Sequence, residues 1–250
     1  MIIRSAIETM QPYSGIHYIN FLKNLAEILN PASYLEIGTN RGVSLEQIEC
    51  DVVCIDPKFM ISGSPLARRR RNLFYQMTSD EFFAEYDVLT IFPRGVDLAF
   101  LDGMHRFEYL LRDVINVERC CHRRSLILLH DCLPLNVRMA ERSWLPAAHG
   151  ESFTGDWWTG DVWRILPTLK KHRPDLQVRL LDCPPTGLVV LSNLDAGNTV
   201  LDNKYFSIIE EFTALNLVDV GIKELWSMFP IIESRSINQA HTLTSVLTVR

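Results

Sequence analysis

Five short stretches of this 250-residue chain carry side chains suited to chemistry, and each follows a short apolar run. They are Glu36–Gly38, Asp56, Thr78–Asp80, Asp102–His105 and His130–Asp131. A histidine titrates near neutrality, so His105 and His130 suit proton transfer or ligation. Gly38 and Gly42 stand between an apolar run and a helix-like segment, where glycine lets the backbone turn sharply and approach a ligand. Their spacing, Gly38-x-x-x-Gly42, is not the G-x-G-x-x-G of a phosphate-binding dinucleotide loop. Asp56 closes the next apolar run, a position that suits a carboxylate accepting both hydroxyls of a ribose. The same glycine pair also makes a tight strand-to-helix turn with no ligand, and spacing alone leaves both readings open.

The elements that must position these residues are legible from periodicity. Tyr18–Leu29 has apolar residues at helical spacing, and Pro31 follows it. Short apolar runs at 34–37, 52–55, 73–77, 96–101, 126–129, 177–181 and 188–192 read as strands. Between and after them, Ser44–Ile48 starts a short helix, and 107–121, 162–171 and 205–215 read as helices. Alternation of this kind predicts an α/β, doubly wound, Rossmann-like sheet of seven strands, mainly parallel, with an antiparallel edge strand and helices on both faces. Ligands of such sheets sit outside the carboxyl ends of the strands, where the five stretches fall. The domain plan is an N-terminal helical segment (1–30), the α/β domain (31–195) with 133–160 as a loop over the site, and a C-terminal helix and tail (196–250). The tail from Glu233 reads as mobile or packed on a partner.

Glu36-Ile-Gly-Thr-Asn-Arg-Gly-Val-Ser44, followed by Ile55–Asp56, resembles the first two motifs of class I S-adenosylmethionine-dependent methyltransferases. Its spacing is similar to that of the metal-dependent small-molecule O-methyltransferases, including catechol O-methyltransferase. Phe100-Leu-Asp-Gly-Met-His105, Tyr109, Asp113 and Leu128-Leu-His-Asp131 look like the branch with an Asp-Gly-x-His signature, which macrolide-sugar O-methyltransferases share. The resemblance covers Ser33 to Asp131 and, loosely, the later helix and strand pair.

This resemblance implies S-adenosylmethionine as cofactor. Gly38, Thr39 and Gly42 would lie along its methionine part and Ser44 near its carboxylate. Glu36 would orient the loop, Asp56 would hold the ribose, and Ser79 or Asp80 would lie by the adenine. It also implies methyl transfer to a hydroxyl of a small molecule or sugar-bearing metabolite. Asp102 would then stand at cofactor and acceptor alike, with His105 as general base. Asp102 and Asp131 both end parallel strands, and two converging carboxylates suit Mg²⁺ or another divalent cation, with His130 a further candidate ligand. Cys132 stands where the metal-dependent enzymes carry an amide and is a poor ligand for a hard ion. That departure supports an alternative, a catalytically degenerate binding or regulatory protein of the same fold. Trp157 and Trp158 suit stacking on a sugar or planar acceptor, or simply cover the loop.

Composition narrows the partners. A net charge of −5 argues against nucleic acid, and the Arg68–Arg71 run reads as a solvated face or as a contact for an anionic acceptor, two readings that the sequence leaves open. No apolar run reaches the ~18 residues of a membrane span, and the first residues lack a signal-peptide pattern. The six cysteines, without a paired C-x-x-C, read as reduced, mostly buried thiols of a cytoplasmic protein. The terminal segments are the places left for a homodimer contact.

Overall fold

The computed structural model describes residues 10–11, 13–62, 69–144, 157–237 and 239–247. Eight strands form one sheet: β1 (Ser33–Ile37), β2 (Asp51–Ile55), β3 (Asn72–Tyr75), β4 (Val96–Leu101), β5 (Cys121–Leu129), β6 (Gln177–Leu181), β7 (Leu188–Ser192) and β8 (Ile231–Ile232). Their order is β3-β2-β1-β4-β5-β7-β6-β8. β1 to β5 run parallel, β7 is antiparallel between β5 and β6, and β8 pairs parallel with β6. The doubly wound expectation is borne out. The eighth strand is added by two residues, too short a run to register as an apolar signal.

Helices cover both faces because successive strand side chains point to opposite sides. Tyr34, Leu98, Phe100, Leu126 and Leu128 face α1 (Tyr18–Leu29), whose Phe21, Leu22 and Leu25 are fully buried. Each such side chain contributes about 1.5–3 kcal/mol of burial. On the other face Leu35, Ala99, Leu101, Ile127 and Leu129 meet the core that also holds buried side chains of α2 (Ser79–Glu85), α3 (Val88–Ile91), α4 (Phe107–Arg119) and α5 (Ile165–His172). Short helices α6 (Val200–Asn203), α7 (Tyr205–Thr213), α8 (Leu217–Val220) and α9 (Ile222–Ser227) extend that layer. None of the described helices is long and apolar enough to cross a membrane.

Two sequence expectations are corrected. The chain after Glu233 folds back: α10 (Ala240–Leu247) buries Leu243 and Leu247 in the same cluster as Phe21 and Leu25 of α1, and Ser234 N–H donates to Asp182 Oδ1 at 2.6 Å. Apolar residues scattered over a polar tail are a weak pattern, and only the waiting groove gives them meaning. The arginine run is not a uniform solvated face. Arg69 is buried, donating to the carbonyls of Ile48 (2.6 Å) and Leu45, while Arg71 pairs with Asp51 at 2.9 Å; Arg68 lies outside the described residues. Between β1 and β2 the chain makes only a 3₁₀ turn, Leu45–Gln47, and Arg69 satisfies the carbonyls that a longer helix would have bonded. The described start of the 133–160 segment is irregular chain, as expected, and it buries Leu133, Leu135, Met139 and Ala140 in the core; 145–156 lie outside the described residues.

Candidate active site

β1 and β4 are adjacent although strand order reverses between them, the position where such sheets open a crevice. Gly38 leaves β1 at φ +89°, and a Cβ there would stand 2.0 Å from the Asp102 carbonyl oxygen. Only glycine lets the two strand ends approach so closely. Behind it, Glu36 is fully buried and accepts hydrogen bonds from Tyr34 Oη (2.7 Å) and Ser44 Oγ (2.6 Å). Burial pushes its carboxyl up to about 7, against the pull of those hydroxyls. Thr39 and Ser44 are buried in the same loop, and Gly42, at φ +76°, bonds back to the Thr39 carbonyl at 2.7 Å.

Asp56, just past β2, fixes this loop. Its Oδ2 accepts the Asn40 amide at 2.8 Å and its Oδ1 the Lys58 amide at 2.7 Å. A carboxylate oxygen has two acceptor sites, so each retains one for a ligand hydroxyl. A glycine-shaped crevice, a carboxylate with spare acceptor capacity and no phosphate-loop spacing fit a nucleoside rather than a pyrophosphate.

Ser79 and Asp80, expected by the adenine, each contact α4. Thr78 caps α2 in a reciprocal box with Glu81. Asp80 then forms a two-pronged pair with Arg112 of α4, at 2.7 and 2.6 Å. Ser79 sets against the buried Asp113, whose carboxyl burial pushes up to about 7. The helix N-terminus therefore serves to dock α2 on α4.

The ends of β4 and β5 hold four titratable side chains in a closed ring. Asp102 Oδ1 lies 3.3 Å from His105 Nε2 and 3.2 Å from His130 Nδ1. Asp131 Oδ2 lies 3.1 Å and 3.3 Å from the same two nitrogens. His105 and Asp131 both adopt left-handed backbone conformations, at φ +55° and +59°, which aim their side chains inward. Burial pulls the imidazoles down, but Asp131 and Asp102 outweigh it, raising His105 to about 9 and His130 well above its ordinary value. Burial would raise Asp102, yet His130 and His105 hold it well below the carboxylate range.

Several supports of this ring lie outside the sequence reading. Gly160, at φ +60°, comes so close that a Cβ would lie 1.9 Å from the His105 carbonyl oxygen. Asp161 N–H then bonds that oxygen at 3.2 Å, and its carboxylate takes the Phe107 amide at 2.8 Å, capping α4. Thr186 donates to Asp131 Oδ1 at 2.7 Å. Tyr18, the first residue of α1, lays its ring over His130 with centroids 4.1 Å apart. Thr186 lies in the Cys183-Pro-Pro-Thr-Gly187 segment between β6 and β7.

Trp158 is a support too. Its carbonyl oxygen lies 3.1 Å from His105 Nδ1, and its indole donates to the Glu141 carbonyl at 2.7 Å. Trp157 is 43% exposed, which leaves its face open to a ligand. Cys132 is buried with its thiol on the His130 carbonyl at 3.3 Å, so it stays outside the ring. Asp102, His105 and Asp131 offer ligand atoms within 4.8 Å of one another. Two of these ligand atoms are carboxylate oxygens and one is an imidazole nitrogen.

Residues 35–132 match the family model described as a methyltransferase domain. None of the curated proteins matches the chain. Among solved structures it is similar to an O-methyltransferase from Bacillus cereus in complex with S-adenosylhomocysteine (SAH), at 16% identity and TM-score 0.50, over 70% of this chain and 80% of that one. An SAH-bound methyltransferase from Podospora anserina aligns at 14% identity and TM-score 0.48, over 71% and 78%. An O-methyltransferase of tomaymycin synthesis from Streptomyces achromogenes, in complex with SAM, aligns at 14% and 0.45, over 71% and 80%. At such identities the likeness is one of fold.

Proposed function

We propose, from the premise that residues 35–132 form a methyltransferase domain on the class I fold, that the protein methylates a hydroxyl of a small molecule or sugar-bearing metabolite with S-adenosylmethionine as donor. The observation that carries this reading is a basic imidazole nitrogen, His105 Nε2, held at the strand ends beside the Gly38 crevice. Bound S-adenosylmethionine supplies an electrophilic methyl group.

The chain's own residues do the rest. Gly38 and Gly42 admit the donor's backbone-facing part, Asp56 takes the ribose hydroxyls, and Glu36 and Ser44 keep the loop in shape. A carbonyl only accepts, so the Trp158 oxygen keeps a hydrogen on His105 Nδ1, and Nε2 is the atom that sheds its proton and becomes basic as pH rises through about 9. Nε2 takes the proton of the acceptor hydroxyl, and Asp131 and Asp102 stabilise the imidazolium that results. Alignment in a dry crevice supplies the remaining rate, because transfer is an in-line displacement. Trp157 offers an apolar face to the acceptor.

The test is transfer of an isotopically labelled methyl group to a panel of phenols, catechols and sugars, with the product identified by mass spectrometry. An O-methyl ether is expected, formed by the wild type and not by His105→Asn. SAH binding without turnover on any acceptor would favour the degenerate alternative. Methylation at nitrogen or carbon alone would overturn the hydroxyl assignment.

A further inference from the structure

The amino ends of the parallel strands, opposite the Gly38 crevice, carry a feature that methyl transfer does not use. Three connections, at 29–33, 91–95 and 122–124, border an open cleft of about 620 Å³. Small-molecule pockets span roughly 300–1,000 Å³. Arg71, Arg94 and Arg124 line this one, together with Asp51, Asp97 and His122. At about 3.3 Å per strand residue, the run of β4 from Asp97 to Asp102 sets the cleft roughly 17 Å from the ring of titratable groups.

The acids of this cleft are already satisfied. Asp97 Oδ2 accepts the Ala32 and Ser33 amides at 2.7 and 3.0 Å, and its Oδ1 lies 2.8 Å from His122 Nε2. The Arg124 amide donates to His122 Nδ1 at 3.2 Å, so the ring hydrogen sits on Nε2 and goes to Asp97. Asp51 pairs with Arg71 at 2.9 Å, and Arg71 also holds the Ile91 carbonyl at 3.1 Å, so this arginine shapes the wall. Among the described residues, neither Arg94 nor Arg124 pairs its guanidinium with a carboxylate. A surplus of cationic donors thus faces one cleft of a chain whose net charge is −5.

The fold builds the placement of these two arginines. Residues 122–125 of β5 stand opposite the single Asp97 of β4, because Cys121 pairs with Val96 and Leu126 with Leu98. The extra residues bulge outward. Ser125 fixes the bulge: its Oγ accepts the His122 amide at 2.8 Å and donates to the Val96 carbonyl at 2.6 Å. Gly95, at φ +86°, lets the neighbouring turn lie against it. A Cβ there would stand 3.0 Å from the Cys120 carbonyl oxygen and 3.4 Å from the His122 ring. Arg94 and Arg124 therefore reach the same cleft from a turn and a bulge packed on each other. Leu29, Pro31 and Pro93 supply an apolar wall.

We infer that this cleft binds the phosphoryl group of a small molecule, with Arg94 and Arg124 as its ligands and the apolar wall against the rest of that molecule. A guanidinium presents paired N–H donors that match phosphate geometry, and it stays charged at every physiological pH. Two guanidiniums balance the nearly two charges that a phosphate monoester carries at neutral pH, whereas a carboxylate needs one. The occupant is distinct from the methyl acceptor, since the cleft opens at the opposite end of the sheet from His105.

The experiment is calorimetric titration of the full chain, at low salt, with uridine 5′-monophosphate, uridine, inorganic phosphate and a uridylate decamer. One monophosphate per chain is expected, with uridine at least tenfold weaker and affinity falling as salt rises. The double variant Arg94→Gln, Arg124→Gln should weaken it at least tenfold, with circular dichroism and SAH binding unchanged. In NMR spectra the His122 ring resonances should move on binding while those of His105 stay. Inorganic phosphate held as tightly as the nucleotide would support the site with the guanidiniums alone; weaker phosphate would support it with the apolar wall contributing. No binding of either phosphate, undiminished affinity in the double variant, or movement at His105 in place of His122 would each overturn the inference. A decamer bound far more tightly than the monomer would overturn it in favour of a nucleic-acid surface. Failure of the wild type to bind SAH would overturn the methyl-donor reading and leave this one standing.

Discussion

The carboxyl ends of β1 and β2 present mainly backbone, whereas those of β4 and β5 present four titratable side chains. On the first side the buried Glu36 is held by two hydroxyls, and the buried Asp56 spends an acceptor on each of two amides. On the second side, charge is concentrated in a ring whose members touch each other before they touch any ligand. A shape-built half recognises one conserved chemical group through the chain's path. A charge-built half can move a proton or hold an ion. The two should therefore fail differently when altered.

Gly38→Val should have the largest effect, since its side chain would collide with the Asp102 carbonyl and the φ of +89° suits glycine alone. A loss of about 3 kcal/mol or more in urea denaturation is expected, together with loss of SAH binding. His105→Asn comes next: methyl transfer should fall about 10²-fold or more with SAH affinity unchanged by calorimetry. If both quantities fell together, the division between the halves would break.

Glu36 offers a pH test of the shape-built half. Its carboxyl is raised from 4.5 to about 7, so the native state keeps a proton that the unfolded chain releases earlier. Its contribution to stability is full below pH 4.5 and is lost as pH climbs to about 7. Glu36→Gln should remove that fall, an effect of about 3 kcal/mol in unfolding free energy measured across the window. Asp113, also raised to about 7, should leave a similar slope in the variant. The smallest effect belongs to Tyr18→Leu, which uncovers His130. It should cost about 1 kcal/mol, read as a several-fold drop in kcat with little change in KM.

The two halves also differed in how far the sequence revealed them. A glycine after an apolar run signals a special backbone, and Gly38 and Gly42 both adopt positive φ. Strand ends align in a parallel sheet, so the meeting of Asp102, His105 and Asp131 followed from counting strands. His130 as a full member of the ring did not, because its aim depends on the left-handed turn at Asp131. Nor did Tyr18 and Thr186, which arrive from α1 and the turn before β7 through tertiary packing alone. Asp80 had the right chemistry for a ligand but a partner, Arg112, that only the docking of α2 on α4 supplies. Arg69 shows the same limit, as its burial answers carbonyls left open by an abbreviated crossover.

Calorimetric titration of the full chain with SAH tests the central claim most directly. Binding at one site is predicted for the wild type and for His105→Asn, weakened in Asp56→Ala and abolished in Gly38→Val. No heat of binding from folded wild-type protein would contradict it.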